Sequence, residues 1–149
     1  MIFWEKRKAV TALYEKKTRA ICDRYQLTQM EYDILMFLYN NPTYTTATDI
    51  VSIRRLTKSH VSSALKMLED KGYIRRFYED NNRKTAHIEV LKLAEEILQD
   101  GYNMQMDFFD TVFLGFSEEE RKFCTMKKII SALICILFIK PSSTVTIVP

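Results

Sequence analysis

Residues Arg55–Val90, RLTKSHVSSALKMLEDKGYIRRFYEDNNRKTAHIEV, carry the reading of the whole chain. Thr57 opens a helix in which Val61, Ala64, Leu65 and Leu68 fall on one face at 100° per residue. It closes at Lys71-Gly72, where glycine suits the left-handed position past a helix end and Lys71 complements the negative end of the dipole. The period then changes. Tyr73, Ile74, Phe77 and Tyr78 suit a strand, and Glu79-Asp80-Asn81-Asn82 is turn chemistry. Lys84 to Leu91 alternates, with Ala86, Ile88 and Val90 on one face.

The flanking segments are helical. Thr46 is an N-cap with Asp49 in the first turn of a short helix that turns Ile50, Val51 and Ile53 inward. Thr28-Gln-Met-Glu31 reads as a capping box opening an earlier helix, with Leu27 and Tyr32 at staple positions and Asn40-Asn41-Pro42 as its stop. The first helix spans Ile2–Tyr25, with Phe3, Val10, Leu13, Tyr14, Ile21 and Tyr25 on one stripe. A lone helix of that length must bury its stripe against another element or another chain. After the strands, an apolar helix runs from about Lys92 to Phe113, with Gly101 marking a kink or a close approach. Ser117-Glu-Glu-Glu120 begins a sixth helix reaching about Ile139, and KPSSTVTIVP is an irregular tail or a stray strand.

The fold class that follows is mainly α with a small β-hairpin wing: a winged helix-turn-helix at residues 27–91, between helices at 1–26 and 92–149. The 149 residues suit one such domain with appended helices, and only three glycines and three prolines argue against a many-stranded sheet. Net charge is a mere +3, but its distribution is informative. Arg54–Lys84 holds nine Lys/Arg against four Asp/Glu; residues 1–53 hold seven against six, and 85–149 six against nine. A charge run is usually a solvated face. Here it coincides with the helix and hairpin.

That coincidence points to duplex DNA. Opposite its apolar face the helix offers Ser59, Ser63 and Lys66, with His60 and Ser62 on the flanks. Short side chains at a helix N-terminus let it approach base edges, and the dipole favours phosphate oxygens. The hairpin adds Arg75, Arg76, Arg83 and Lys84. Arg83 sits at the turn, suited to a narrow minor groove, with Asp80 three residues before it as a brace. Arg54 and Arg55 are expected to clamp backbone phosphates.

The segments LTQMEYDIL, TDIVSIRRLTKSHVSSALKMLEDKGYIRR and EDNNRKTAHIEV resemble the MarR (multiple antibiotic resistance regulator) family of winged-helix transcriptional regulators, over roughly Leu27–Leu91. The resemblance implies a cytoplasmic homodimer, built by the N-terminal and two C-terminal helices, that binds a pseudo-palindromic operator as a repressor. It puts Ser59, His60, Ser62, Ser63 and Lys66 in the major groove and makes Arg83 the wing-tip arginine. It also implies a cleft for a small aromatic effector, lined by Tyr14, Tyr39, Tyr44, Phe108 and Phe109. The chain departs from the family's habit in having Leu91-Lys92 and no glycine after the wing, and in its C-terminal ICILFIKPSSTVTIVP.

Other chemistries find little footing. Cys22, Cys124 and Cys135 have no metal-ligand spacing, and an odd count without a secretory signal fits a reducing cytosol. Cys22 lies beside Asp23, which disfavours a thiolate, so redox sensing is not expected. His60 and His87, the only histidines, both fall in the DNA-binding unit, so neither a metal site nor a cofactor is expected. No nucleophile–base pair or Gly-rich phosphate loop suggests an enzyme. The apolar run Ile129–Ile139 is too short to span a bilayer. It leaves two competing readings, a winged-helix module that binds a partner protein through its last helix and a peripheral membrane protein.

Overall fold

The computed structural model describes residues 2–115 and 117–119. Five helices and a two-stranded antiparallel sheet follow in the order α1 (Ile2–Tyr25), α2 (Gln29–Asn40), α3 (Ala47–Arg54), α4 (Lys58–Asp70), β1 (Ile74–Glu79), β2 (Asn82–Val90) and α5 (Glu95–Val112). A 3₁₀ turn at Lys92–Ala94 leads into α5. Beyond Glu119 the expected sixth helix, with its apolar run Ile129–Ile139, Cys124 and Cys135, lies outside the described residues.

Local chemistry sets the helix starts. Thr28 and Glu31 satisfy each other's backbone N–H groups in a full capping box, and Thr46 and Asp49 do the same. The Thr57 hydroxyl accepts from the His60 N–H at the head of α4. The helix ends share a different device. Gln26, Arg55 and Gly72 all take positive φ, at 52°, 49° and 76°. Each is followed by a backbone bond back across the last turn: Leu27 N–H to Cys22 O, Leu56 N–H to Val51 O and Tyr73 N–H to Leu68 O. All three are left-handed helix stops of the kind glycine favours, and only one has the glycine.

The core forms where the apolar faces of α2, α3 and α4 meet. Ile34, Leu35, Ile50, Val61, Leu65 and Leu68 are buried there, and Ile74 and Ile88 close it from the sheet. Each such side chain contributes roughly 1.5–3 kcal/mol on leaving water. Against this core lies a second layer, in which α1 packs along α5 and both touch α2. Tyr14 of α1 meets Phe108 of α5 edge-on, with ring centroids 5.2 Å apart. Gly101 is a point of close approach: a Cβ there would come within 2.5 Å of Met36 Sδ on α2. One turn further on, Asn40 donates to Gln105 Oε1 at 3.2 Å. Ion pairs Lys17–Asp107, Arg24–Glu96 and Arg24–Asp100 lace the outer edge of α1 to α5.

The wing pairs Ile74 with Val90 through Tyr78 with Ala86, then shifts register so that Glu79 faces Asn82. The shift is a bulge that leaves Arg83, Lys84 and Thr85 without opposite residues. Thr46 forms an isolated bridge with His87, and the Ile88 N–H donates to Thr45 O at 2.7 Å. His87 Nδ1 lies 2.7 Å from Thr45 Oγ1. The wing is therefore tied to the segment that leads into α3.

Candidate nucleic-acid interface

Helix α4 presents Lys58, Ser59, His60, Ser62, Ser63 and Lys66 to solvent, while Val61, Ala64, Leu65 and Leu68 are buried. The expected division of faces holds along the whole helix. Its first turn carries no acidic residue, so nothing there offsets the partial positive charge of the exposed N–H groups. Lys58, the first residue of α4, belongs to this surface; the sequence reading passed over it although its position beside Thr57 marked it.

The basic residues fall into two sets. Arg55, Lys58, Lys66, Arg83 and Lys84 are exposed, and none has a carboxylate in ion-pair reach among the described residues. Arg75 pairs with Glu89 directly across the sheet. Arg76 is held by Glu69 of α4, at 2.9 Å from Nε and 2.7 Å from Nη2. The Arg76 hydrogen bond keeps the Glu69 carboxyl below the usual carboxylate range. The base of the wing is thus neutralised from within, and the tip is left cationic. Asp80 forms no ion pair with Arg83 among the described residues, so the expected brace is absent; Lys84 N–H instead bonds Asn82 Oδ1 at 3.2 Å.

Arg54 corrects the sequence reading. It was expected on phosphates beside Arg55, but its side chain is 5% exposed and points into the core, 3.8 Å from Asp33 Oδ2. The left-handed turn at Arg55 is the reason. It reverses the chain direction between the two arginines, so one goes inward and the other outward. Lys71 also has a more specific role than complementing a dipole: its Nζ donates to Glu31 Oε2 at 2.6 Å and to Gln26 O at 2.7 Å.

The aromatic residues proposed for an effector cleft are not all brought together. Tyr14 and Phe108 are packed against each other in the core, and burial pushes the Tyr14 hydroxyl far above the usual range. Tyr44 is exposed and stacks on Phe37 at 6.2 Å, and Tyr39 is exposed at the end of α2. Phe109 lies beside Phe113. Phe108 and Tyr14 serve packing, which aromatics at helical spacing usually do. Cys22 is buried, and burial, with Asp33, Asp23 and Glu31 adding to it, pushes its thiol up to about 11. Among the described residues no group of three His, Cys, Asp or Glu side chains gathers into a possible metal site, and no helix is long and apolar enough to cross a membrane.

Residues 25–82 match the model of the MarR family. The fold is similar to S. aureus MepR in a MepR–DNA complex, at 20% identity and TM-score 0.59 over 85% of this chain and 96% of that one. It is similar to MarR, at 21% identity and TM-score 0.64 over 84% of this chain and 83% of that one. The transcriptional regulator BldR from Sulfolobus solfataricus aligns at 15% identity and TM-score 0.63, over 88% of this chain and 93% of that one. At these identities the likeness is one of fold. No curated protein matches the sequence.

Proposed function

We propose that this chain, whose residues 25–82 match the model of the MarR family, is a MarR-type homodimeric transcriptional repressor binding a pseudo-palindromic operator. The observation that carries the reading is the separation of cations: five exposed and unpaired on α4, its preceding turn and the wing tip, with the wing-base pair engaged by carboxylates. Ser59, Ser62 and Ser63 on the outward face of α4 would read base edges in the major groove. Arg83 and Lys84, in the unpaired bulge at the wing tip, would reach the adjacent minor groove. Arg55 and Lys58 would hold phosphates at the helix entry. Helix α1, 24 residues long and laced to α5 along one edge, supplies the scaffold on which a second copy would dock. A two-fold pair would present its reading helices about 34–36 Å apart, one turn of B-DNA. The fold relationship to MepR, whose structure in a DNA complex is known, supports the docking mode.

Binding to a duplex measured against salt tests the reading. Ten such cations per dimer, half to all of them on phosphates, give a log–log slope of about −5 to −9. A slope near zero would sink phosphate contact. In that case the partner-protein reading takes over.

A further inference from the structure

Two carboxylates on α2 are buried, Glu31 at 3% and Asp33 at 6% exposure, and each holds a cation at one end of the recognition helix. At the leading end, Arg54 closes α3 three residues before Thr57, the N-cap of α4, and faces Asp33. Asp33 in turn accepts from Gln29 Nε2 at 2.9 Å, and Gln29 Oε1 accepts from the fully buried Thr18 hydroxyl of α1 at 2.7 Å. At the trailing end, Lys71 caps α4 and bonds Glu31 and the Gln26 carbonyl, in the link between α1 and α2. Both ends of one exposed helix are therefore referred, through charged groups, to the α1–α2 junction.

Apolar contacts already bury the inner face of α4, so the charges are not needed to exclude water. Asp33 is also poorly placed as a stabiliser. Burial lifts its carboxyl to about 6 even with Arg54 beside it, so holding it ionised in the core costs more than the attraction returns. In some proteins a buried ion pair kept at net cost contributes alignment rather than stability. Hydrophobic contacts tolerate a helix sliding or rotating by a fraction of a turn; a carboxylate–cation pair at each end, guanidinium at one and ammonium at the other, does not. We infer that Asp33–Arg54 and Glu31–Lys71 are positioning pairs that fix the register of α4 relative to α1, and thereby set sequence discrimination on DNA. The inference rests on the DNA-binding reading above, and none of the four residues needs to touch the duplex.

The test compares two probes: a duplex selected from a random pool by the wild-type protein, and a scrambled duplex of equal length and composition. Wild type must bind the scrambled duplex with a negative salt slope; if it binds neither probe, the DNA-binding reading itself fails. Two variants then address positioning, Asp33→Leu combined with Arg54→Met, and Lys71→Met alone. The expected result is a selected-to-scrambled affinity ratio at least tenfold lower in each, scrambled-duplex affinity and its salt slope within twofold of wild type, and an unfolding midpoint that does not fall for the double variant. A merely structural role would move the midpoint and both affinities together. A folded Lys71→Met protein whose ratio stays within twofold of wild type overturns the inference, whatever the double variant does.

Discussion

The chain places charged residues of the same kinds in two opposite settings. On the outer surface Arg55, Lys58, Lys66, Arg83 and Lys84 stand in water without partners. Beneath them Arg54, Asp33, Glu31 and Lys71 are paired between α2 and the two ends of α4, three of them buried. The outer set can be removed with little effect on folding, because surface charges are worth little to stability. It is the set that can attract a polyanion. The inner set attracts nothing from outside, and removing half of a pair strands its partner in the core. Adjacent Arg54 and Arg55 belong to different sets, so residue type alone does not assign the role.

The largest effect expected from breaking this contrast is Asp33→Ala. It takes the carboxylate from beside the buried Arg54 guanidinium, and the loss should be about 3–5 kcal/mol in urea unfolding at pH 7. Arg54→Ala should cost less, because the Asp33 carboxyl left behind can protonate. The pH dependence sharpens the point. Asp33 is raised from 3.8 to about 6, so its contribution to stability is full below the lower value and is lost as pH rises through the higher one. Wild type should lose stability relative to Asp33→Asn between pH 4 and pH 7; a gap that widens in the opposite direction would show that the pair stabilises the fold after all.

Next in size, Arg83→Ala should weaken duplex binding about tenfold, the equivalent of roughly 1.4 kcal/mol, with an unchanged unfolding midpoint. An equal loss of stability would place Arg83 in the inner set. Arg55→Gly should separate two effects at one position. The left-handed backbone at φ 49° and ψ 43° suits glycine, so stability should rise by roughly 1 kcal/mol while DNA affinity falls. Failure of stability to rise would mean that the turn holds no strain. The smallest change belongs to Ser63→Ala, which should alter preference among selected duplexes while leaving stability and salt slope untouched. Identical selected pools from both proteins would remove Ser63 from the base-reading face.

Features written in neighbouring residues were legible in the sequence. The capping box at Thr28/Glu31, the N-cap at Thr46, the helix start at Thr57 and the two faces of α4 all involve spacings of a few residues, and the structure has them as expected; Gly101, read as a kink or a close approach, is a close approach. The MarR resemblance, drawn from three motifs, is matched by the family model over 25–82. Features set by distant contacts were not legible. Gln26 and Arg55 stop their helices as Gly72 does, yet neither residue type announces it. Asp33 sits inside YDILMFL, and nothing local tells that its partner is Arg54, twenty-one positions on. The wing turn was placed correctly in outline, but the bulge that frees Arg83–Thr85 depends on pairing register. Tyr39 and Tyr44 lie close in sequence to core residues and still face solvent.

The rung formed by Thr45, Thr46, His87 and Ile88 has a mechanical consequence. A hairpin joined to the body only at its two ends can swing like a flap to suit whatever groove it meets. This one is stitched across its middle as well, so tip and helix advance as a single stiff template. Mismatch between that template and a target must then be absorbed by the nucleic acid. Binding should favour easily kinked pyrimidine–purine steps at base pairs the protein never touches, and loosening the stitch with His87→Ala should erase that preference first.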